Sequence, residues 1–366
     1  MSAEDIKKEA YVEVDRNMLV ETSIKEPDVA FFDVRKPPFE LYGFYDPHGQ
    51  EYFRRLPQEV AEATSQGVAK LARESTGGRV RFSTDSAYIA IKVELGPYSR
   101  RPHMTLCNTA GFDLYEDTAT DSRFVKPFLP PYNFENDYEQ IIQLGSRKMR
   151  SFTINFPVHA LVKNLYIGLQ VDAALDRGKK YSNSAPVVFY GSSIVHGTAA
   201  SRPGLTYENI ISRRLNLDYI NLGFSGRAKG EPVLIEYISG LNMSIFVCDY
   251  DHNAPDAAFL RATHQGVYDI FRKKQPDTPY IMISRPNIAT NPTEFAERRD
   301  VIIDTYRHAL SLGDKNVYYI DGESFFLGKY ENECTMDGVH PNDLGFTLMA
   351  DGIESVIRRI LGRDCI

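Results

Sequence analysis

The chain has 366 residues, of which 43% are hydrophobic and 25% are charged, and its formal net charge is −7. This composition is typical of a globular protein, and the length is enough for one large domain or for two. The sequence has no cluster of Lys and Arg residues, so its charge does not indicate binding to nucleic acid. No apolar run reaches the ~18 residues that suggest a membrane span.

The N-terminal sequence MSAEDIKKEAYVEVDRN contains no apolar run, so we expect no secretory signal. The cysteines are scattered and lack the paired spacing of zinc sites. This pattern favours reduced thiols in a cytoplasmic protein. The cysteines are Cys107, Cys248, Cys334 and Cys365.

Short alternating segments fill residues 28 to 170 and predict strands. A single helix is predicted over residues 58–73, and turn clusters such as Thr76-Gly77-Gly78 separate the strands. Many short strands with turns between them indicate a β-sandwich or jelly roll, which we assign to residues 1–180. The clearest strands are predicted at 80–83, 88–93, 112–115 and 151–156.

From residue 181 to residue 366 the pattern changes to apolar strands that alternate with helices. Strands are predicted at 187–190, 219–222, 244–247, 280–283 and 317–320. Helices are predicted from near Thr206 and over 232–238, 257–274, 295–312 and 344–361. This alternation predicts a parallel α/β sheet with right-handed crossovers. Functional groups of such sheets gather in the loops at the carboxyl ends of the strands.

The loop after the first strand reads Gly191-Ser192-Ser193, and a tight strand-to-helix turn there can present a serine hydroxyl. Taken alone, it could equally be an ordinary turn. A phosphate cradle is disfavoured because the Walker pattern and its lysine are missing.

The next two loops offer donors for a developing negative charge. The small residues of the loop over residues 221–227 can expose backbone N–H groups, and Asn253 can donate from its side-chain amide. The alternatives are a plain turn in the first of these loops and a helix N-cap at Asn253, because Pro255 and a helix follow. Asp251 and His252 are adjacent and so usually point apart, which disfavours them as a metal or catalytic pair.

The last loop contains Asp337 and His340, three residues apart in a turn with Gly338. A carboxylate beside Nδ1 of the imidazole fixes the tautomer and leaves Nε2 free to take a proton from a hydroxyl nucleophile. We interpret most of the other histidines as surface or structural residues. They are His48, His103, His159, His196, His252, His264 and His308.

In this order, the four loops resemble the blocks of the SGNH (GDSL-type) hydrolase family over residues 185–361. The resemblance implies a flavodoxin-like sheet flanked by helices, in a catalytic domain of residues 181–366. It implies Ser193 as nucleophile, His340 as base and Asp337 as its orienting acid, with the oxyanion held by the N–H of Ser193, by Gly226 and by Asn253. This mechanism needs neither a metal nor an organic cofactor, so we expect none.

Two blocks depart from the family pattern. The usual Gly-Asp-Ser is Gly191-Ser192-Ser193, which raises Ser192 as an alternative nucleophile, although the register favours Ser193. The usual Gly-x-Asn-Asp is Asp251-His252-Asn253-Ala254, so the neighbouring loop must have a different shape.

The stretches Gly191–Gly204 and Asn221–Gly226 are similar to those of two-domain carbohydrate O-acetyl esterases that have an N-terminal β-domain. This similarity implies an acetylated mannan or xylan oligosaccharide as substrate and a sugar-binding role for the β-domain. A lipase or thioesterase, an acyltransferase and a silent sugar-binding protein remain as alternatives, and a homo-oligomer stays open. Retention of all five catalytic positions argues against the silent protein.

Overall fold

The computed structural model describes residues 24–98, 100–286 and 291–362. Residues 1–23, for which the sequence predicts no secretory signal, and Cys365 lie outside the described residues. Cys107, Cys248 and Cys334 are free thiols. Of the helices described, none is long and apolar enough to cross a bilayer.

The N-terminal half consists of antiparallel strands arranged in two sheets, which we call the β-domain. In chain order the strands are β1 Val29–Asp33, β2 Glu40–Tyr42, β3 Arg79–Thr84, β4 Tyr88–Leu95, β5 Phe112–Asp117, β6 Ser122–Phe128, β7 Asp137–Gln143, β8 Arg150–Asn155, β9 Val162–Gln170 and β10 Leu175–Arg177. One sheet has the order β1-β9-β4-β7 and the other has the order β10-β3-β8-β5-β6, with β2 paired to β3.

A single apolar core fills the space between the two sheets. It includes Phe82 of β3 and Ile154 of β8 from one sheet, and Ile91 of β4 and Ile167 of β9 from the other. The four predicted strands lie in β3, β4, β5 and β8, so the sandwich of antiparallel sheets is confirmed. A jelly-roll connection and a domain boundary at residue 180 stay predictions.

The single helix predicted over residues 58–73 is wrong, because two helices share that segment. They are α1 Gln58–Thr64 and α2 Gln66–Leu71. Ser65 between them is extended, and its side chain accepts the N–H of Val68, which starts a new helix. Helix α3, Leu106–Ala110, is the remaining helix described in the β-domain.

The C-terminal half has a parallel sheet with the order β12-β11-β13-β14-β15, which is the flavodoxin-like 2-1-3-4-5 order. The strands are β11 Val187–Gly191, β12 Tyr219–Gly223, β13 Ile245–Asp249, β14 Tyr280–Ile283 and β15 Val317–Ile320. The helices are α4 Ser193–His196, α5 Tyr207–Leu215, α6 Pro232–Ile238, α7 Ala257–Lys274, α8 Pro292–Ser311, α9 Glu323–Phe326 and α10 Asp343–Ile360. The predicted α/β architecture is confirmed.

The strands of this sheet are buried on both faces, as their unbroken apolar runs predict. Val188 and Tyr190 face the core formed with α6, α7 and α8, whereas Val187 and Phe189 face α5 and α10. Leu56 and Val68, from the α1–α2 region of the β-domain, also join the first of these cores. The two halves therefore share apolar packing.

A buried charged contact also joins the halves. The Asp113 carboxylate of β5 accepts from Arg202 Nη1 at 2.7 Å and from the Gly204 N–H at 2.8 Å. Asp113 is fully buried, and Asn155 donates to its other oxygen at 2.8 Å. The segment that follows the first loop of the parallel sheet is thus held by the β-domain.

Candidate active site

Ser193 is the first residue of α4, immediately after β11, and its side chain is half-buried. Ser192 is fully buried, and its hydroxyl caps the same helix by accepting the Ile194 N–H at 3.2 Å. The Ser193 hydroxyl lies 2.8 Å from His340 Nε2. Of the two adjacent serines, Ser193 is therefore the one that faces the histidine.

His340 and Asp337 lie on one loop between α9 and α10. The Asp337 carboxylate is 2.7 Å from His340 Nδ1, and its other oxygen accepts the N–H groups of Val339 and His340 at 3.0 and 2.8 Å. Burial acts to raise the pKa of Asp337, but the bonds from His340 and Val339 outweigh it, so the pKa is lowered. The carboxylate stays ionised and can orient the imidazole.

The same loop is closed by its own backbone. Thr335 and Pro341 form an antiparallel bridge, and the Met336 N–H donates to His340 O at 2.8 Å. His340 and Asp337 are thereby held in a fixed position relative to each other by contacts within this short loop.

Gly226 and Asn253 are also brought together. The Gly226 N–H donates to Asn253 Oδ1 at 3.2 Å, and Asn253 Nδ2 donates to Phe224 O at 2.8 Å. Asp256, and not Asn253, caps α7. Because an amide nitrogen has two hydrogens and this bond uses one, Asn253 retains a donor for a ligand.

Asp251 and His252 lie in the short 3-10 helix Asp251–Asn253, and their side chains have different surroundings. Asp251 is buried and accepts from Arg298 Nε at 2.7 Å and from the Arg285 N–H at 3.1 Å. The Nε2 atom of His252 is buried and has no hydrogen-bond partner among the described residues. Burial, together with the charge of Arg285, lowers its pKa well below the ordinary value, so this ring is neutral.

Sequence reasoning missed His103, which lies beside His340. The two rings are 6.4 Å apart between centroids and inclined by 29°. His103 is half-buried on a segment of the β-domain, so both halves of the chain border the site. Its local sequence carries no motif, and the docking of the two halves alone brings it there.

The β-domain also supports the end of α4. Thr76 Oγ1 donates to His196 O at 2.7 Å, and Asn108 Nδ2 donates to Gly197 O at 3.2 Å. The last carbonyls of a helix have no partner within it, and here the other half of the chain supplies two of the partners.

A carboxyl group is buried beside the turn that carries Ser193. Asp249 ends β13 opposite Gly191, and its backbone O accepts the Ser192 N–H at 3.0 Å. Neither of its carboxylate oxygens has a hydrogen-bond partner in the part of the chain described. Burial, with the nearby charge of Asp251, raises its pKa to about 8, so this side chain is protonated at neutral pH.

One group of side chains has the composition of a metal site within the described residues. Glu74, His159 and His196 bring one potential ligand atom each to within 4.8 Å of the others. None of the five predicted site residues belongs to this group.

Two family models cover most of the chain. Residues 184–358 match the GDSL-like lipase/acylhydrolase family, and residues 29–175 match the N-terminus of SGNH-hydro-type esterases. The search of curated proteins found no match.

Several solved structures share this two-part architecture. A Bacteroides ovatus protein described as a GDSL-like lipase is 26% identical, with a TM-score of 0.83 over 91% of this chain and 98% of that one. The salicylyl-acyltransferase SsfX3 of a tetracycline biosynthetic pathway is 20% identical, with a TM-score of 0.74 over 92% and 98% of the two chains. An acetyl xylan esterase from Butyrivibrio proteoclasticus is 12% identical, with a TM-score of 0.60 over 92% and 100%. The last two likenesses concern the fold alone.

Proposed function

Because residues 184–358 belong to the GDSL-like (SGNH) lipase/acylhydrolase family, we propose that the chain is a serine esterase that removes O-acetyl groups from acetylated mannan or xylan oligosaccharides. The family supports the reaction class, which is hydrolysis of a carboxylic ester. The observation that carries the proposal is a chain of two contacts. The Ser193 hydroxyl is 2.8 Å from His340 Nε2, and His340 Nδ1 is 2.7 Å from the Asp337 carboxylate.

In this mechanism, His340 Nε2 takes the proton of Ser193 while the hydroxyl oxygen attacks the acetyl carbonyl. Asp337 orients the ring and stabilises the imidazolium that forms. The tetrahedral intermediate collapses to an acetyl-enzyme as the bond to the sugar oxygen breaks, and His340 gives its proton to that departing oxygen, which leaves as the sugar hydroxyl. Water then attacks the acetyl-enzyme in the same way and releases acetate.

The oxyanion is stabilised by the N–H of Ser193, the N–H of Gly226 and the Asn253 amide. Ser193 begins α4, where an N–H has no acceptor within the helix. The Gly226 N–H is already bonded to Asn253 Oδ1 in the free chain. The developing negative charge competes with that amide oxygen for the hydrogen, and a charged acceptor is the stronger one.

Acetylated sugars are favoured over other esters by two observations. The likeness in fold to an acetyl xylan esterase covers both halves of the chain. His103 of the β-domain stands beside His340, so the β-domain is in a position to contact the alcohol part of a substrate.

The test incubates wild type, Ser193→Ala and Ser192→Ala with acetylated manno- and xylo-oligosaccharides and follows acetate release by mass spectrometry. We expect acetate release by wild type and none by Ser193→Ala. Ser192→Ala should continue to release acetate, although the loss of the helix cap lowers its stability by about 0.5–2 kcal/mol. Release that persists in Ser193→Ala, or that disappears when a chelator is added to wild type, contradicts the mechanism.

A second candidate is transfer or hydrolysis of a larger acyl group. Apolar side chains are exposed on the segment that carries the catalytic loop, including Met336 at 55% and Tyr330 at 68%. An apolar rim suits an apolar acyl group, and a structurally similar chain is an acyltransferase. Preference for long-chain over acetyl esters, or acyl transfer to an added alcohol in place of water, would favour this candidate.

A further inference from the structure

Two buried histidines from different halves of the chain stack behind the loop that carries Gly226. His159 follows β8 in the β-domain, and His196 ends α4, three residues after Ser193. Their ring centroids are 4.5 Å apart, and the residues are 3% and 0% exposed. Glu74 of the β-domain reaches both rings, at 2.9 Å from His159 Nδ1 and 3.0 Å from His196 Nε2.

The partners of His196 determine which nitrogen carries its proton. Nε2 faces two acceptors from the β-domain, the Glu74 carboxylate and Val158 O at 3.1 Å. Nδ1 faces the N–H of Ser225 at 3.4 Å, and a backbone N–H can only donate. The proton therefore sits on Nε2, and Nδ1 is an acceptor.

The partners of His159 complete the network. Its Nδ1 donates to Glu74, and its Nε2 lies 3.2 Å from the Thr198 hydroxyl, which is 3.4 Å from the Ser225 hydroxyl. Burial lowers the pKa of both rings, that of His196 to about 3, so both are neutral. Burial raises the pKa of Glu74, but the bonds from both rings outweigh it and the pKa falls well below its ordinary range.

We propose that His196 is a positioning residue for the oxyanion hole. Its backbone belongs to the helix that begins with Ser193, and its Nδ1 holds the backbone of Ser225, the residue before Gly226. It thereby sets the distance between the nucleophile and the Gly226 N–H, and Val158 O and Glu74 hold it in the tautomer that this task requires. The inference rests on the proposed function of this site.

A metal ion on the same three side chains would need the opposite arrangement. A metal bound at His196 Nε2 moves the proton of a neutral ring to Nδ1, where it would meet the Ser225 N–H donor. The Glu74 oxygen is also within hydrogen-bond distance of both nitrogens, at 2.9 and 3.0 Å. Hydrogen bonds therefore account for this geometry better than a metal does.

The kinetic test compares two replacements of His196. His196→Asn places an amide oxygen near the position of Nδ1 and keeps an acceptor for Ser225, whereas His196→Gln keeps a donor toward Glu74 and Val158 but loses that acceptor. We expect kcat of His196→Gln on acetyl esters to fall about 10- to 100-fold with KM unchanged, since an oxyanion donor acts only in the transition state. His196→Asn should stay within about threefold of wild type.

Two controls separate positioning from loss of structure. Rates are referred to the concentration of active sites, titrated with a fluorophosphonate, so that unfolded protein does not count. Asp218→Asn removes a charge of the contact between Arg79 and Asp218, which also joins the two halves but lies at the start of β12. We expect wild-type kcat for this variant. An equal decrease of kcat in His196→Asn and His196→Gln overturns the inference, and so does a change in KM with kcat unchanged.

A further measurement does not depend on turnover. If wild type hydrolyses no ester, the proposed function is contradicted, but this measurement still tests the inference about His196. In protein labelled with ¹⁵N-histidine, two-bond ¹H–¹⁵N spectra report the tautomer of each ring, and the signal missing from His196→Asn identifies His196. We expect a neutral ring protonated at Nε2 from pH 5 to pH 8. A ring protonated at Nδ1, or about one zinc per chain by mass spectrometry, overturns the inference.

Discussion

The side chain of Asn253 is bonded at both ends to the loop of residues 224–226. Its oxygen accepts the Gly226 N–H, and its nitrogen donates to Phe224 O. Its oxygen thus holds the loop, and under the proposed function its second amide hydrogen is offered to the oxyanion. Replacements that keep one group and lose the other distinguish these tasks.

We expect Asn253→Asp to lose activity at least as strongly as Asn253→Ala. Removal of one oxyanion donor costs about 100- to 1,000-fold in kcat, and the aspartate adds a negative charge where the oxyanion forms. The measurement is kcat on an acetyl ester for both variants. If Asn253→Asp kept wild-type kcat, the side chain would act only as an anchor for Gly226.

The buried acid Asp249 predicts a pH dependence of stability. Its pKa is about 8 in the folded chain and 3.8 ordinarily, so between these values the folded chain holds a proton that the unfolded chain has lost. The free energy of unfolding therefore decreases as pH rises from about 4 to about 8, by up to ~1.4 kcal/mol per pH unit.

Asp249→Asn should remove this contribution, because the amide resembles the protonated acid but does not ionise. Urea denaturation at several pH values would show wild type losing stability toward pH 8 relative to the variant, with the two closest near pH 4. A constant difference between the two proteins across this range would contradict a raised pKa.

Local pattern was enough to predict the contact between Asp337 and His340 but not its surroundings. Asp337 and His340 lie in one turn, so their spacing alone fixes their contact. Ser193 and His340 are 147 positions apart, and they became a prediction only through the order of the loops in one sheet topology. His103 comes from the other half of the chain, and no spacing in the sequence predicts its place.

At the scale of elements, the end of β12 lies unusually close to α4. A methyl group on Gly223 would lie 2.2 Å from the backbone nitrogen of His196. Gly226, three residues later, has open space around it but a φ of +70°. These two glycines of one loop are thus required for different reasons.

We expect Gly223→Ala to destabilise the chain by about 3 kcal/mol and to lower kcat, because the helix that carries Ser193 must shift. Gly226→Ala is the matched control. It should cost about 1–2 kcal/mol for the left-handed backbone and leave α4 in place. Thermal denaturation of both variants tests this, and a larger loss of stability in Gly226→Ala than in Gly223→Ala would contradict it.

Most elements followed from periodicity, because long buried strands and amphipathic helices carry a repeated signal. Helix α4 was missed since its four residues are shorter than the helical pattern needs. The break at Ser65 was missed because it depends on one hydroxyl group that caps a new helix, and such a cap does not change the spacing of the apolar residues.

At the scale of the whole molecule, the two halves are joined by buried polar groups as well as by apolar packing. Arg55 of the β-domain donates to Asn221 O at 3.0 Å and to Gly223 O at 2.8 Å, and Asp113 holds Arg202. Contacts of this kind depend on how two folded units meet. The sequence indicated two units but did not predict which groups face each other.

We expect the chain to unfold in a single transition, with Asp113→Ala lowering its free energy of unfolding by about 3–5 kcal/mol, because Arg202 is left without its buried partner. Arg261→Ala, which removes the exposed ion pair with Asp304, should change stability by no more than about 1 kcal/mol. Calorimetry checks both variants. Two separate transitions in wild type would contradict the coupling of the halves.

The self-closed loop of residues 335–341 has a consequence for protein engineering. Because its own backbone fixes His340 against Asp337, the loop can be transferred as a unit. We expect it to keep this geometry when it is placed before the last helix of another α/β domain whose sheet has the 2-1-3-4-5 order. The serine turn is not portable in this way, since α4 is completed by Thr76 and Asn108 from a different half of the chain. A transfer of the turn that carries Ser193 must therefore include the segments of the β-domain that support α4.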